Sequence, residues 1–412
     1  MTRGQKEGHK RVRKPEVIDL VIIGGGMVGL TLACALRNTG LKIMVIERAQ
    51  AEPRMSLGRD CRVSAIVAGT VEALKGIGVW PLVKDQAGPI DSMRIWDDQR
   101  FGSIRFEAEE AGLESLGYIV ENSVLSAAML EVVHASENIE WCCPASVESV
   151  QWKASCVEVS LDDGRVFTTQ LIVGADGGHS WLRSQAGIPT WSHRFEQQGI
   201  VATIQPQFSH RNCAYQRFLP TGPLALLPLT DGLCSIVWSV QDKEAARLMA
   251  LGDDAFMAEL QAAFGPVLGT LEATGERAAF PLRSQLSRHI VRPRMALIGD
   301  AAHQVHPLAG LGVNLGIRDA MVLAQEIADA RYFEEDYGSP DVLNRFMRNR
   351  IPDILAVMGG MELFHYLFMH DVPGLALLRD AGMRVVGNSG PVKRMLMRRA
   401  MGLTLPVPKQ IS

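Results

Sequence analysis

Short apolar runs cut by glycine open the chain. Residues 20–23 (LVII) form a run of the fully buried strand type, glycines fill positions 24–26, and 30–36 repeats apolar residues at helical spacing. Residues 43–46 (IMVI) make a second such run and end at Glu47. Strand, glycine turn, helix and strand together predict a βαβ unit, and hence a parallel sheet. Two later runs end in the same way. Residues 171–173 lead into Gly174-Ala175-Asp176-Gly177, and 295–298 lead into Gly299-Asp300.

The middle of the chain has a different rhythm. Residues 157–161 and 166–169, either side of Asp162-Asp163-Gly164-Arg165, predict a β-hairpin. Residues 218–229 (FLPTGPLALLPL) and 235–240 (SIVWSV) read as a strand pair joined by Asp231-Gly232. After about Ser339 the pattern is helical to the end and rich in methionine. The expected architecture is α/β: a Rossmann-like nucleotide-binding domain, an inserted and mostly β substrate domain, and a helical C-terminus. The division expected is a basic N-terminal extension over 1–16 and a discontinuous nucleotide-binding domain over 17–95, 115–189 and 286–340. A β-rich substrate domain takes 96–114 and 190–285, and a helical region takes 341–412.

Composition narrows the partners. The 412 residues carry a formal charge of -3, which argues against a nucleic-acid-binding protein, and 47% hydrophobic content allows a large core. The seven cysteines are odd in number and contain no CxxC pair, so reduced thiols in a cytoplasmic protein are expected, with no metal site. The uncharged run 20–36 is too short to span a bilayer, its glycines mark a turn, and no secretory leader is expected.

Gly24, Gly26 and Gly29 fit GxGxxG after an apolar strand. The first glycine permits a tight turn, the second lets backbone approach a pyrophosphate, and the third packs helix on strand. The helix N-terminus beyond them offers free N–H groups to phosphates, and Glu47 stands where ribose hydroxyls can be bound. Arg62, in RDCRVSAI, reads equally as a cover for cofactor phosphates and as a solvated surface residue. Asp176 reads as a turn residue when taken alone. Asp300 at a strand end can bond sugar-alcohol hydroxyls, and Gly310, Gly312 and Asn314 lead into an apolar helix whose first amides face outward. His303 and His306 are read as structural groups beside this turn. No nucleophile elbow, P-loop or HExxH appears, so a cofactor would carry the hard chemistry.

Taken together, GGGMVG with Glu47, DCRVSAI, LGYIVENSVL, GADGGHSWLR, QRFLPTGPLALLPL and GDAAHQVHPLAGLGVNLGIRDA resemble the FAD-dependent aromatic-ring monooxygenases of ubiquinone biosynthesis. These are relatives of para-hydroxybenzoate hydroxylase, and the likeness runs over about residues 16–405. The resemblance implies that Gly24, Gly26, Gly29, Glu47 and Arg48 hold the ADP half of FAD. It implies that Arg62 and Asn122 contact the cofactor, and that Asp176 serves both FAD and transient NAD(P)H. Asp300 would bind the ribityl chain, the stretch Gly310, Gly312, Val313, Asn314 would face the isoalloxazine, and Pro307 would border the reacting face. The family carries Gln where this chain has Leu311, which opens the question of substrate placement.

The implied reaction reduces FAD with NAD(P)H, forms a flavin hydroperoxide with O2, and hydroxylates a polyprenylated phenol in a dry pocket. Tyr215, His303 and Arg217 are the candidates for deprotonating the phenol. A small soluble aromatic as substrate, or a non-catalytic flavin-binding component of a biosynthetic complex, are the other readings. Lys393, Arg394, Arg398 and Arg399 predict either peripheral contact with an anionic inner-membrane face or a solvated basic helix. A homo-oligomer, or assembly with other quinone-pathway enzymes, is an open expectation.

Overall fold

The computed structural model describes residues 16–49, 55–56, 59–97, 103–273, 275–305, 312–369 and 390–403. Its first sheet is built on β1 (Glu16–Ile23), which is buried at Ile18 and again from Leu20 to its end. β1 pairs in parallel with β2 (Ile43–Ile46) on one side and with the strand Val166–Gly174 on the other. β2 pairs in parallel with Ile139–Cys142, and the far half of Val166–Gly174 pairs in parallel with Met295–Leu297. The hairpin expected over 157–169 is present as Val157–Leu161 against Val166–Gly174, and Val147–Trp152 extends it.

Register decides where the motifs go. Ile23 lies opposite Ile46 and Gly174, and Gly174 lies opposite Leu297. Four strand ends from distant parts of the chain are therefore abreast, and the turn after each of them emerges at one edge. That edge carries Gly24, Glu47, Asp176 and Asp300. Ligands of doubly wound sheets bind at the carboxyl ends of the strands for this reason.

Helix α1 (Met27–Leu36) is buried from Gly29 to Leu36, as expected of a helix that is apolar all round. It packs against the helix Gly312–Tyr332, and the contact is tight. A Cβ on Gly316 would lie 2.6 Å from a Val28 methyl, and one on Gly299 would lie 3.0 Å from the same side chain. The glycine turn near the start of the chain and the Gly299 motif are thus joined through Val28.

The second sheet runs in the order His303–Gln304, Ala278–Ser287, Thr190–Pro206, Cys234–Gln241, Gly222–Pro228, Cys213–Leu219, Ser92–Asp97, Ser103–Glu107. The strand Ser92–Asp97 crosses the expected 95/96 border and pairs wholly in this sheet. One face is covered by the helix Asp253–Phe264, whose Phe256, Leu260 and Phe264 pack on Ile200, Leu224, Leu226, Ile236 and Trp238. The single strand expected over 218–229 is instead a hairpin corner. Cys213–Leu219 ends, the chain turns at Pro220-Thr221, and Gly222–Pro228 returns antiparallel. Gly222 has φ +139°, and a Cβ there would sit 2.1 Å from the Ser239 carbonyl, so glycine is required at the corner. The Asp231-Gly232 turn lies, as expected, between this strand and Cys234–Gln241.

The C-terminal part is helical where described, in Pro340–Met369 and Gly390–Ala400. Among the described residues no helix is long and apolar enough to cross a membrane. The second of these helices docks on the body of the protein. Lys393 pairs with Glu110 at 2.5 Å, and Met397 is buried among Ala108, Ala111 and Leu116. Lys393 is therefore not free to meet a membrane, while Arg394, Met395, Arg398 and Arg399 remain exposed.

Candidate functional site

The three glycines at the end of β1 each have a distinct local reason. Gly24 has φ +107°, and a Cβ there would strike the Ala175 carbonyl at 2.3 Å, because this turn passes directly over the neighbouring strand end. Gly29 faces back on the turn, where a Cβ would lie 2.0 Å from the Gly24 oxygen. Gly26 is the opposite case: nothing lies within 4 Å of where its Cβ would stand. The turn is crowded beneath and open above Gly26, where α1 begins. No acidic residue occupies the first turn of α1, which leaves its amides and positive dipole end available to an anion.

Glu47, one residue past β2, reaches across to this turn. Its Oε2 accepts the Gly25 N–H at 2.7 Å and its Oε1 accepts the Ala49 N–H at 3.2 Å. Arg48 beside it is exposed.

Asp176 is a capping residue. Its Oδ2 accepts the N–H groups of Trp181 and Leu182 at 2.7 and 3.1 Å, while its buried Oδ1 has no hydrogen-bond partner. Ser180 completes the cap by accepting the Arg183 N–H. The Arg183 guanidinium is buried and donates to the carbonyls of Ala301 at 2.9 Å and Gly178 at 2.6 Å. It thus ties the Asp176 turn to the Gly299–Ala301 turn. Burial pushes this guanidinium below its ordinary pKa.

Asp300 faces solvent, yet protein crowds it closely enough that desolvation raises its carboxyl above the usual range. Gln304 Nε2 donates to its Oδ2 at 3.2 Å.

The start of helix Gly312–Tyr332 supplies the other side. Gly312 and Val313 are half-buried, and no acid lies in the first turn. Asn314 is buried and structural. Its Oδ1 accepts the Val67 N–H at 3.0 Å and its Nδ2 donates to the Ala65 carbonyl at 2.6 Å. Asn122 likewise accepts from Ser64 Oγ at 2.7 Å. Arg62 keeps its side chain exposed, while its backbone N–H is held by buried Asp60 at 2.9 Å.

The proposed phenol bases are not brought together. Tyr215 and Arg217 point to the helix-covered face of the second sheet: Tyr215 packs edge-on to Phe264 and Trp96, and Arg217 donates to the Ala263 carbonyl. Burial raises the Tyr215 hydroxyl to about 12. Its strand alternation explains the placement, since Tyr215 lies opposite Leu226, a residue of the covered core. His303 is 2% exposed and hydrogen-bonded to Asp319 at 2.5 Å, in keeping with a structural role. His306, Pro307, Gly310 and Leu311 lie outside the described residues.

Comparison with known proteins gives this geometry its context. Residues 17–357 match the family model described as FAD binding domain. The chain belongs to the FAD binding domain family. It is 37% identical over 391 residues to a ubiquinone hydroxylase, UbiL, of Rhodospirillum rubrum, covering 94% of this chain and 90% of that protein. It is 34% identical to the 3-demethoxyubiquinol 3-hydroxylase of Escherichia coli (93% and 98%) and 32% identical to the mitochondrial ubiquinone biosynthesis monooxygenase COQ6 of Homo sapiens (92% and 92%). The fold is that of p-nitrophenol 4-monooxygenase PnpA from Pseudomonas putida, with a TM-score of 0.77 at 17% identity over 95% of this chain and 99% of that one. An HpxO variant of Klebsiella pneumoniae complexed with FAD gives 0.71 at 18% identity, over 94% and 99%.

The cofactor of this FAD-binding fold is FAD, and the site fits a long dinucleotide. The starts of α1 and of helix Gly312–Tyr332 carry no acid, the space over Gly26 is open, and Asp300 is exposed at the same edge of the sheet. Sequence reasoning missed two residues that build this site, Asp319 and Arg350. A buried acid inside the helical pattern after Asn314 was the available signal, since such a residue demands a partner. That Arg350 is the partner could not be read, because it lies on a different helix.

Proposed function

We propose that this chain is an FAD-dependent monooxygenase that uses NAD(P)H and O2 to hydroxylate the ring of a polyprenylated phenol on the route to ubiquinone. The observation that carries the reading is full-length similarity to several hydroxylases named for that pathway, at 32–37% identity. Bound FAD supplies hydride acceptance from NAD(P)H and activation of O2. The residues supply the rest. Gly24, Gly26 and the start of α1 receive the pyrophosphate, and Glu47 takes the adenosine ribose by exchanging its Gly25 contact. Asp300 holds the ribityl hydroxyls, and the first amides of helix Gly312–Tyr332 face the ring. Asp176 keeps its turn in shape, and the exposed Arg283, 3.4 Å from His179, offers a cation at the rim where a phosphate of NAD(P)H arrives.

The second sheet offers a surface for the substrate. On the face turned away from Phe264, Val201, Ala225 and Val237 are half-buried cross-strand neighbours and form an apolar stripe. Such a surface suits a lipophilic ring substrate and excludes water from the reacting centre. FAD-loaded protein is expected to oxidise NAD(P)H faster when a prenylated phenol is added. No stimulation by any prenylated phenol, or stimulation by soluble benzoates alone, refutes this substrate class. Profiling of quinone intermediates in cells lacking the gene then identifies the ring position.

Peripheral contact with an anionic membrane is a further part of the proposal, resting on exposed Arg394, Arg398 and Arg399 around exposed Met395. Flotation with anionic liposomes should fall when the three arginines are changed to Glu; equal flotation removes the helix from that role.

A further inference from the structure

Beneath the Gly299–Asp300 turn lies a carboxylate that none of these roles uses. Asp319, in the helix Gly312–Tyr332, has a side chain 1% exposed. Its Oδ2 accepts the Gly299 backbone N–H at 3.0 Å and the His303 Nε2–H at 2.5 Å, and its Oδ1 accepts Arg350 Nε–H at 2.7 Å. Arg350 is itself buried and donates onward to Asp353 at 2.8 Å and to the Leu315 carbonyl at 3.5 Å. Arg318 holds Asp353 from another side at 2.9 Å. Two acids and two arginines, with His303 against Asp319, thus form an ionic cluster under the turn.

Stability alone is a weak reason for such a cluster. Taking these charges out of water costs several kcal/mol per ion, and well-packed apolar replacements for a buried ion pair are often neutral or better. Burial opposes the charge on Asp319, but His303 and Arg350 outweigh it and hold the carboxyl below the usual range. What apolar residues could not supply is a directed acceptor for the Gly299 N–H. Gly299 has φ +58°, and a Cβ there would press on Val28, so this short turn is constrained from both sides.

We propose that Asp319 is the positioning residue of the flavin-side turn: by gripping Gly299 and His303 from beneath, braced by Arg350, it fixes the backbone from which Asp300 presents its carboxylate to FAD. This rests on the assignment of Asp300 to the cofactor, and the test separates the two.

Apoprotein is titrated with FAD by quenching of flavin fluorescence, and the visible band of the bound flavin is recorded at saturation. Asp319→Asn keeps the shape but sets an NH2 group against one of its donors. Loss of a charge-assisted hydrogen bond predicts an affinity about 10- to 100-fold weaker, with the flavin band moved toward that of free FAD. Leu260→Ala, in the helix covering the second sheet, lowers the thermal midpoint but moves neither readout. Wild-type affinity and band in Asp319→Asn overturn the proposal, as does an affinity loss no greater than that of Leu260→Ala. If Asp319→Asn does not fold, His303→Gln carries the same test: about a 5-fold loss is expected from one altered hydrogen bond, and no loss overturns it. Weakened binding by Asp300→Ala with unchanged Asp319→Asn overturns the positioning role alone. Wild-type binding by Asp300→Ala overturns the assignment of Asp300, and the proposal with it.

Discussion

Gly26 and Gly29 belong to one motif, yet their alanine variants should fail in opposite ways. At Gly29 the new methyl would lie 2.0 Å from the Gly24 oxygen, against the 3.4 Å at which ordinary contact begins. The turn must therefore open by about 1.4 Å, and overpacking of this kind costs roughly 1–3 kcal/mol. With an unfolding entropy of about 2.1 cal/mol/K per residue, a chain this long loses about 1 °C per kcal/mol, so the apoprotein midpoint should fall by roughly 1–4 °C. At Gly26 there is no neighbour within 4 Å, and φ -75°, ψ 176° suits any residue. A poorer helix cap costs up to about 1 kcal/mol, and reduced freedom of the unfolded chain returns about 0.4–1 kcal/mol. The apoprotein midpoint should hardly move. The methyl instead enters the open space over the turn, and an FAD affinity about 10-fold weaker is expected, or ~1.4 kcal/mol. At an FAD concentration of 100 wild-type Kd, stabilisation by the cofactor then falls from about 2.7 to about 1.4 kcal/mol. Thermal unfolding with and without FAD measures both effects. Wild-type FAD stabilisation in Gly26→Ala would show that the cofactor backbone does not pass over Gly26.

Packing around the site sets three further outcomes. Burial raises the Asp300 carboxyl, so its charge weakens the folded state above that raised value and has no effect below the ordinary carboxylate range near pH 4. Asp300→Asn should accordingly raise the apoprotein midpoint at pH 7–8, with the gain shrinking to nothing as pH falls toward 4; a gain independent of pH rejects the electrostatic cause. Arg183→Met removes one of two donors from each of the Ala301 and Gly178 carbonyls, which keep Ser287 Oγ and Gln285 Nε2, and should cost roughly 1–3 kcal/mol, read as a lower denaturant midpoint with FAD absent. Removing 390–412 uncovers Ala108, Ala111 and Leu116 and discards buried Met397, a loss of about 2–3 kcal/mol. An unchanged midpoint in that truncation would mean that the helix does not stay docked in solution.

Elements that depend on local chemistry are legible along the chain. The run at 43–46 is the observed β2 to the residue, and the hairpin around Asp162-Asp163-Gly164-Arg165 closes as its turn demands. Glycine at 24 and at 29 was also legible, because each expresses a requirement of the turn itself. The corner within 218–229 is marked by Pro220-Thr221-Gly222, a turn signal obscured by the apolar residues on either side, and it is the approach of Ser239 that requires glycine there. Tyr215 shows the same limit from the side of chemistry: a phenol in an apolar strand has two faces to choose from, and helix Asp253–Phe264 covers the one it took. Tertiary structure alone decided the register that sets Ile23, Ile46, Gly174 and Leu297 abreast. It also decided the pairing of Asp319 with Arg350 across two helices. Both are relations between segments far apart in the chain, fixed by burial of shared apolar surface and by the need of buried charge for a partner, and neither leaves a mark at the positions of one segment alone.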